Sequence, residues 1–267
     1  MRSPTRPAET DAPLDELESS GLDLRTLPGN TAKIRLLLDL AAQLREHGRL
    51  RVLDVGCAGP QPLELWEPFR PYFDRLELVG VDVAGIEAAA ARARELGAPM
   101  DVRRGSALAL REVGDGDFDA VVSTQVLEHL RAWPDAVRQM AGALRPGGML
   151  YVTCDSGDLR RTLAERVRLA AKRVYARLPV QPGPFSGEWE LGPTGDALER
   201  AAEDAGLDVV QLTRYALHDV KTAQRHAGAA TRRLWLALEE TLAAEAGERV
   251  DPRLFGIVYL HARRPTA

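Results

Sequence analysis

Cysteine is scarce: two residues, Cys57 and Cys154, in a chain of 267. No disulfide framework is to be expected from them, and a reducing, cytoplasmic setting is the natural reading. No apolar stretch approaches the length of a membrane span, so integral membrane contact is not expected. The opening "MRSPTRPAETDAPLDELESS" lacks the apolar core of a signal peptide and reads as part of a flexible, solvated tail over residues 1–30. Charge of either sign is also in short surplus. A net charge of −4 sets up no global field toward nucleic acid or anionic lipid, and basic residues are not interleaved with aromatic ones. The five histidines (His47, His129, His218, His226, His261) are scattered without metal-ligand spacing.

What remains is ample core material, 45% hydrophobic against 28% charged residues, arranged in alternation. Short apolar runs read as strands at 51–55, 76–82, 118–124 and 147–153, with a weaker one at 101–104. Helical patterns stand between them: "TAKIRLLLDLAAQLREH", "AGIEAAAARARELG" and "PDAVRQMAGALRPGG". The last opens at Pro134, a favoured helix start, and ends in a Pro-Gly-Gly breaker. Repeated strand–helix–strand units imply parallel strands joined by right-handed crossovers, with helices on both faces. Continuous apolar strands agree, because such a sheet is covered on both sides.

The second half changes rhythm. Residues 158–178 read as a long amphipathic helix, followed by a Pro/Gly-rich loop holding Trp189. "TGDALERAAEDAGLDVVQLTRY" predicts a helix stopped at Gly206 and then a strand. A helical region over 219–246 precedes a final strand, "FGIVYLHARR". The expected organisation is a single doubly wound α/β domain over 31–267, with insertions at about 154–195 and 219–250 covering one side of its pocket.

In an open parallel sheet, ligands bind beyond the carboxyl ends of the strands where strand order reverses. "RVLDVGCAGPQ" (51–61) ends the first strand there, and its glycines let backbone approach a ligand. Asp82 ends the next strand, 28 residues after Asp54. A glycine turn followed by such an acid suits an adenosine-containing ligand, whose ribose hydroxyls a carboxylate accepts. A dinucleotide fingerprint is absent: its three glycine positions hold Gly56, Ala58 and Gln61. No phosphate-cradling lysine loop occurs either. The competing reading is a tight turn with an incidental acid.

"VLDVGCAGPQ", "LVGVDVAG", "RRGSAL", "FDAVVSTQVLEHL" and "ALRPGGMLYVT" occur in the order and spacing of class I S-adenosylmethionine-dependent methyltransferases. The chain resembles the small-molecule branch that includes quinone-biosynthesis enzymes, over about residues 50 to 155 and again near its end. The resemblance implies a Rossmann-like, mostly parallel seven-stranded sheet whose last two strands form an antiparallel hairpin. It also implies S-adenosyl-L-methionine as cofactor and a small-molecule acceptor, methylated at oxygen or nitrogen. By position, Asp54, Gly56, Cys57 and Ala58 match the loop beneath the methionine part of the cofactor. Asp82 matches the ribose-binding acid, with Val83 against the adenine. Ser106 and Ala107 match the pair at the adenine edge, and Thr124 and Gln125 lie near the methionine end. The chain departs from the pattern at Ala58 and Pro60, where glycine is frequent, and at Ser106, where aspartate is frequent.

Methyl transfer from a sulfonium is an in-line displacement, so holding two partners in line and excluding water are the main demands. A hydroxyl or amine acceptor adds a use for a general base. His129 in "VLEHL" is the first candidate, since histidine titrates near neutrality; orienting the loop is its alternative role. Glu128 reads as a local anchor. His218 reads as a pocket residue or a surface one, and Asp155 as a base or a helix cap. The basic helix 158–178 is compatible with a cationic lid, a membrane-surface helix or a plain solvated cover. Trp66, Trp133 and Trp189 are candidates for an acceptor pocket or for buried packing. Two other classes stand beside the enzyme: a non-catalytic cofactor binder acting through partner contacts, and a nicotinamide oxidoreductase of similar topology.

Overall fold

The computed structural model describes residues 12–58, 64–113, 117–159, 192–217 and 228–266. Seven strands form one sheet in the order β3-β2-β1-β4-β5-β7-β6. They are β1 (Leu50–Val55), β2 (Leu76–Asp82), β3 (Met100–Arg104), β4 (Phe118–Thr124), β5 (Leu144–Asp155), β6 (Asp208–Leu217) and β7 (Phe255–Arg263). The first five pair in parallel, and β7 runs antiparallel to both β5 and β6. Order reverses at β1, which pairs with β2 on one side and β4 on the other. The crevice at the carboxyl ends of β1 and β4 is therefore the expected ligand position.

Strand parity divides the core. Val52, Leu78, Val122 and Tyr151 enter one apolar layer with the helix α2 (Thr31–His47), while Leu53, Val79, Val121 and Val152 enter the opposite one. α4 (Trp133–Ala143) and α5 (Gly195–Asp204) fill that second layer through Val137, Met140, Leu198 and Ala202. α2 begins where the Asn30 side chain accepts from the Ala32 and Lys33 N–H groups, and it ends at Gly48, φ +78°. Because α2 leads directly into the start of β1, its first turn lies at the carboxyl edge of the sheet. The edge helix α3 (Ile86–Leu96) closes on a left-handed Gly97. No helix among the described residues is long and apolar enough to cross a membrane.

The structure corrects two expectations. The flexible tail expected over residues 1–30 is wrong from residue 12 onward. Ala12–Ser19 forms a helix, α1, which packs on α6 (Ala229–Ala244) and buries Leu17; Leu22 and Leu27 are buried beyond it. The acidic residues that made the segment look solvated are used: Arg35 of α2 holds Glu16 with two bonds of 2.8 and 2.6 Å. The Pro-Gly-Gly at 146–148 does not break the chain before a strand at 147. It forms an irregularity inside a longer β5, whose register shifts between the Phe118 and Ala120 pairings. The helical region expected over 219–246 is described as α6 alone; residues 218–227 lie outside the described residues, as do 160–178 of the helix expected over 158–178.

A polar network ties α1, α2 and α6 to the antiparallel edge. Arg35 also bonds Asp39 (3.1 Å) and lies 4.0 Å from Glu240, which accepts the Tyr215 hydroxyl (2.8 Å). Asp39 accepts the Tyr259 hydroxyl and faces His261 at 3.8 Å. Gln43 donates to the Asp119 carbonyl (3.0 Å) and accepts from Tyr151 (3.3 Å).

Gly80 in β2 owes its identity to its neighbour. A Cβ there would stand 2.8 Å from Cys57 Sγ, 3.1 Å from Cys57 Cβ and 3.1 Å from Met100 Sδ. Gly80→Ala should destabilise the fold by about 1–3 kcal/mol, the scale of overpacking. Urea unfolding with an unchanged m-value is the check.

Candidate functional site

The turn after β1 is built by backbone. Gly56 N–H donates to the Val81 carbonyl at 2.7 Å and Cys57 N–H to the same oxygen at 3.4 Å, which lays the turn across the end of β2. Gly56 has φ +88°, and a Cβ on it would sit 2.2 Å from Val126 Cγ2. It is required both for its left-handed backbone and for the close approach of the segment after β4. Ala58 N–H donates to Asp82 Oδ2 (3.0 Å), and Asp82 Oδ1 accepts from Val83 (2.7 Å) and Ala84 (3.3 Å). Asp82 thus gathers the turns after β1 and β2, and one of about four carboxylate acceptor positions remains.

Asp54 faces the α2 layer by parity with Val52, and only 6% of it is exposed. Its Oδ2 accepts the Trp66 indole N–H at 2.7 Å. Burial pushes its carboxyl up to about 6, with Asp82 adding to the rise and the Trp66 bond and the Lys33 charge opposing it. Lys33 reaches in from the first turn of α2 and pairs with Glu64 at 3.7 Å. Cys57 is buried between Asp54 and Asp82; burial first and those two charges next push its thiol up, so it is a protonated packing group.

The other candidates flank this centre. Asp82 accepts the Gly105 N–H through its carbonyl (2.9 Å), bringing the turn after β3 alongside. In that turn Ser106 Oγ accepts from Leu108 N–H (3.2 Å) and Ala107 is buried. Val83 is 62% exposed and Leu108 39%, an apolar pair at adjacent strand ends. Thr124 stands opposite Thr153 at the end of β4. Gln125 follows with φ +58°, unusual for a residue with a side chain, and its N–H donates to the Thr153 carbonyl at 2.7 Å. Its Nε2 is buried without a hydrogen-bond partner.

The structure therefore brings together Asp54, Gly56, Cys57, Ala58, Asp82 and Val83, with Ser106 and Ala107 on one flank and Thr124 and Gln125 on the other. His129 is exposed on the single turn Leu127–His129, and Glu128 beside it is buried. Asp155 closes β5 opposite Ile257; the carboxylate that caps nearby is Asp158, accepting from Gly195 N–H (2.9 Å) and Arg214 (3.3 Å). Trp66 is no pocket lining: it is fully buried against Phe69. Trp133 borders a groove of about 290 Å³ between α4 and α5 that no candidate cofactor residue lines. Trp189, His218, Gly59 and Pro60 lie outside the described residues. Sequence reasoning missed Lys33, Val126 and the Trp66–Asp54 bond; only the parity of Asp54 with Val52 pointed toward the last.

An ionised Asp54 is costly in the free protein. Its carboxyl rises from an ordinary value of about 4 to about 6, so the folded state holds the proton more tightly than the unfolded chain does. That contribution is present below pH 4 and is lost as pH climbs through 6. Asp54→Asn should then raise stability by up to about 3 kcal/mol above pH 6 and change it little near pH 4. Thermal melts at the two pH values would show it; a variant equally destabilised at both would refute it.

Comparison with known proteins closes the question of family. Residues 53–152, from β1 through β5, match the family model described as a methyltransferase domain. The chain is 31% identical over 197 residues to a ubiquinone biosynthesis O-methyltransferase of Methylobacterium sp. (strain 4-46), covering 69% of this chain and 74% of that protein. A protein of the same description from Methylobacterium nodulans is 33% identical over 170 residues, and this chain spans 62% of its length. An S-adenosylmethionine-dependent methyltransferase from Mesorhizobium loti shares the fold at TM-score 0.51 and 18% identity, over 85% of this chain and 96% of that one. So does the cyclase SpnF, at TM-score 0.53 and 21% identity, over 87% and 81%. With the reversal point between β1 and β4, Asp54 next to the end of β1 and Asp82 ending β2, this similarity gives one answer: the chain belongs to the class I S-adenosylmethionine-dependent methyltransferases.

Proposed function

We propose that the chain methylates a hydroxyl oxygen of a small aromatic acceptor related to the precursors of ubiquinone, in the cytoplasm, with His129 as general base. The cradle formed by Gly56, Ala58 and Asp82 carries the cofactor half of this reading. The names of the relatives support oxygen as the atom and a quinone precursor as the acceptor class. Two buried free thiols, Cys57 and Cys154, accord with a reducing compartment.

The residues present fit the cofactor. Asp82 offers its remaining acceptor position to a ribose hydroxyl, with the Ala58, Val83 and Ala84 N–H groups fixing the carboxylate's orientation. Val83 and Leu108 offer apolar surface to a flat base, and the Ser106 hydroxyl keeps a proton and a lone pair for its edge. Asp54 lies under the turn as a buried anion facing a region short of positive charge. When bound, the cofactor supplies an activated methyl group on a sulfonium. The chain's own work is then alignment and removal of the acceptor proton: β1 and β4 hold their ends in contact at Gly56 and Val126, and His129 on the turn after β4 takes the hydroxyl proton. Base and cofactor cradle thus come from opposite sides of the reversal point.

Asp82→Ala should weaken S-adenosylhomocysteine binding by about 1–3 kcal/mol, the scale for hydrogen bonds to a charged acceptor. Titration calorimetry measures it, and unchanged affinity in a folded variant removes Asp82 from the site. His129→Gln should lower kcat on a catechol acceptor about a hundredfold while leaving cofactor affinity in place. Cofactor binding with no turnover on any hydroxylated aromatic would replace the enzyme with a non-catalytic binder.

A further inference from the structure

Trp66 lies 12 residues beyond Asp54 and belongs to no motif, yet its indole N–H donates to Asp54 Oδ2 at 2.7 Å. Indole N–H is a donor only, so this bond presents a fixed demand for an acceptor and is strongest when the partner is charged. Trp66 is fully buried and tilted at 46° against Phe69, with ring centroids 5.9 Å apart. That packing fixes where its N–H points. The turn carrying Trp66 is pinned a second time by Glu64, which pairs with Lys33 of α2.

The surroundings of Asp54 are short of positive charge. Among the described residues, the charged groups bearing on it are Lys33 from α2 and Asp82 from β2, with Glu64 beside Lys33 and the protonated Cys57 thiol between the two aspartates. Lys33 is thus the one cation bearing on Asp54 among the described residues, and Glu64 shares it; Arg104, opposite Asp82 in register, spends its guanidinium on the Val83 carbonyl (2.9 Å). A cationic ligand is what this corner lacks, and the methionine end of S-adenosylmethionine bears a sulfonium and an ammonium.

We propose that Trp66 is a positioning residue for the cofactor, its indole N–H aiming the Asp54 carboxylate, as an anion, at the cationic methionine end. This rests on the reading that the turn after β1 cups that part of the cofactor. Trp66 does not touch the reacting atoms; it acts through Asp54. Without the indole bond, the burial of Asp54 is opposed only by the Lys33 charge, and the carboxylate takes up its proton at higher pH. Cofactor affinity then fails over a pH range in which the native protein binds.

The test is calorimetry with S-adenosylmethionine from about pH 6 to about pH 8.5 on the native chain, Trp66→Phe, Asp54→Asn and the double variant. Native affinity should fall off only near and below pH 6, where Asp54 protonates. Trp66→Phe should bind about tenfold more weakly near pH 6.5 and within about threefold of native near pH 8.5. In the Asp54→Asn background, Trp66→Phe should have no pH-dependent effect. A Trp66→Phe loss that is equal at all pH values, or that persists with Asp54 replaced, overturns the proposal and leaves the cofactor reading standing. If Trp66→Phe does not fold, Lys33→Met reads the same limb, which should move to higher pH; an unmoved limb overturns the proposal. Failure of the native chain to bind S-adenosylmethionine or S-adenosylhomocysteine at any pH removes the cofactor reading and the proposal with it.

Discussion

A carboxylate buried at the end of a parallel strand is costly to charge, and the site is arranged around that cost. β1 alternates its side chains between two apolar layers, so the residue after Leu53 enters the α2 layer whatever its chemistry. At position 54 that residue is aspartate. The cost is met in part by the Trp66 N–H and in part by Lys33, and what remains shows as the upward displacement of its carboxyl. A protein selected for stability alone would place an apolar residue there. That departure from an apolar residue is the ground for the proposed pairing of Asp54 with the cationic end of the cofactor.

The second constraint is space. The ends of β1, β2 and β4 converge because side chains are missing where they meet. Gly56 admits Val126, Gly80 admits Cys57, and Gly85 sits where a Cβ would be 3.1 Å from Ala58 Cβ. Gly105 does the same for the turn after β3, where a Cβ would lie 2.9 Å from Val81 Cγ1. These contacts join four turns into one rigid floor, so a ligand on it meets preorganised backbone. Beside that floor Gln125 takes a left-handed backbone without being glycine, as Ala216 does in β6, and it buries an unpaired amide.

Legibility from sequence followed the range of the forces involved. α2 was readable to its ends because Asn30 and Gly48 are local signals, and β1, β2 and β4 because burial on both faces writes a continuous apolar run. The turn after β1 was readable as a motif. α1 was missed because its acids are solvated in any local reading and become structural only through distant arginines, Arg35 on Glu16 and Arg233 on Glu18. The β5 irregularity was missed because Pro-Gly-Gly ends most elements, and here the glycines fit a shift in pairing with Phe118 instead. The Trp66–Asp54 bond crosses from a turn to a strand, and neither residue alone announces the other.

α2 is where scaffold and site meet. Its first turn carries Lys33, which bears on Asp54; one turn on, Arg35 and Asp39 enter the network that holds α1, α6 and the β6–β7 pair. Buried ion pairs of this kind add little net stability, because desolvation offsets most of the attraction, but removing one member is severe. Their effect is to fix geometry. Tyr259, Tyr215 and Glu240 each have one place to go, and burial holds both phenols in the protonated form that donates. α2 is thereby locked in rotation and in register along its axis. That lock holds Lys33, the one cation bearing on Asp54 among the described residues, in place from elements on the far side of the helix.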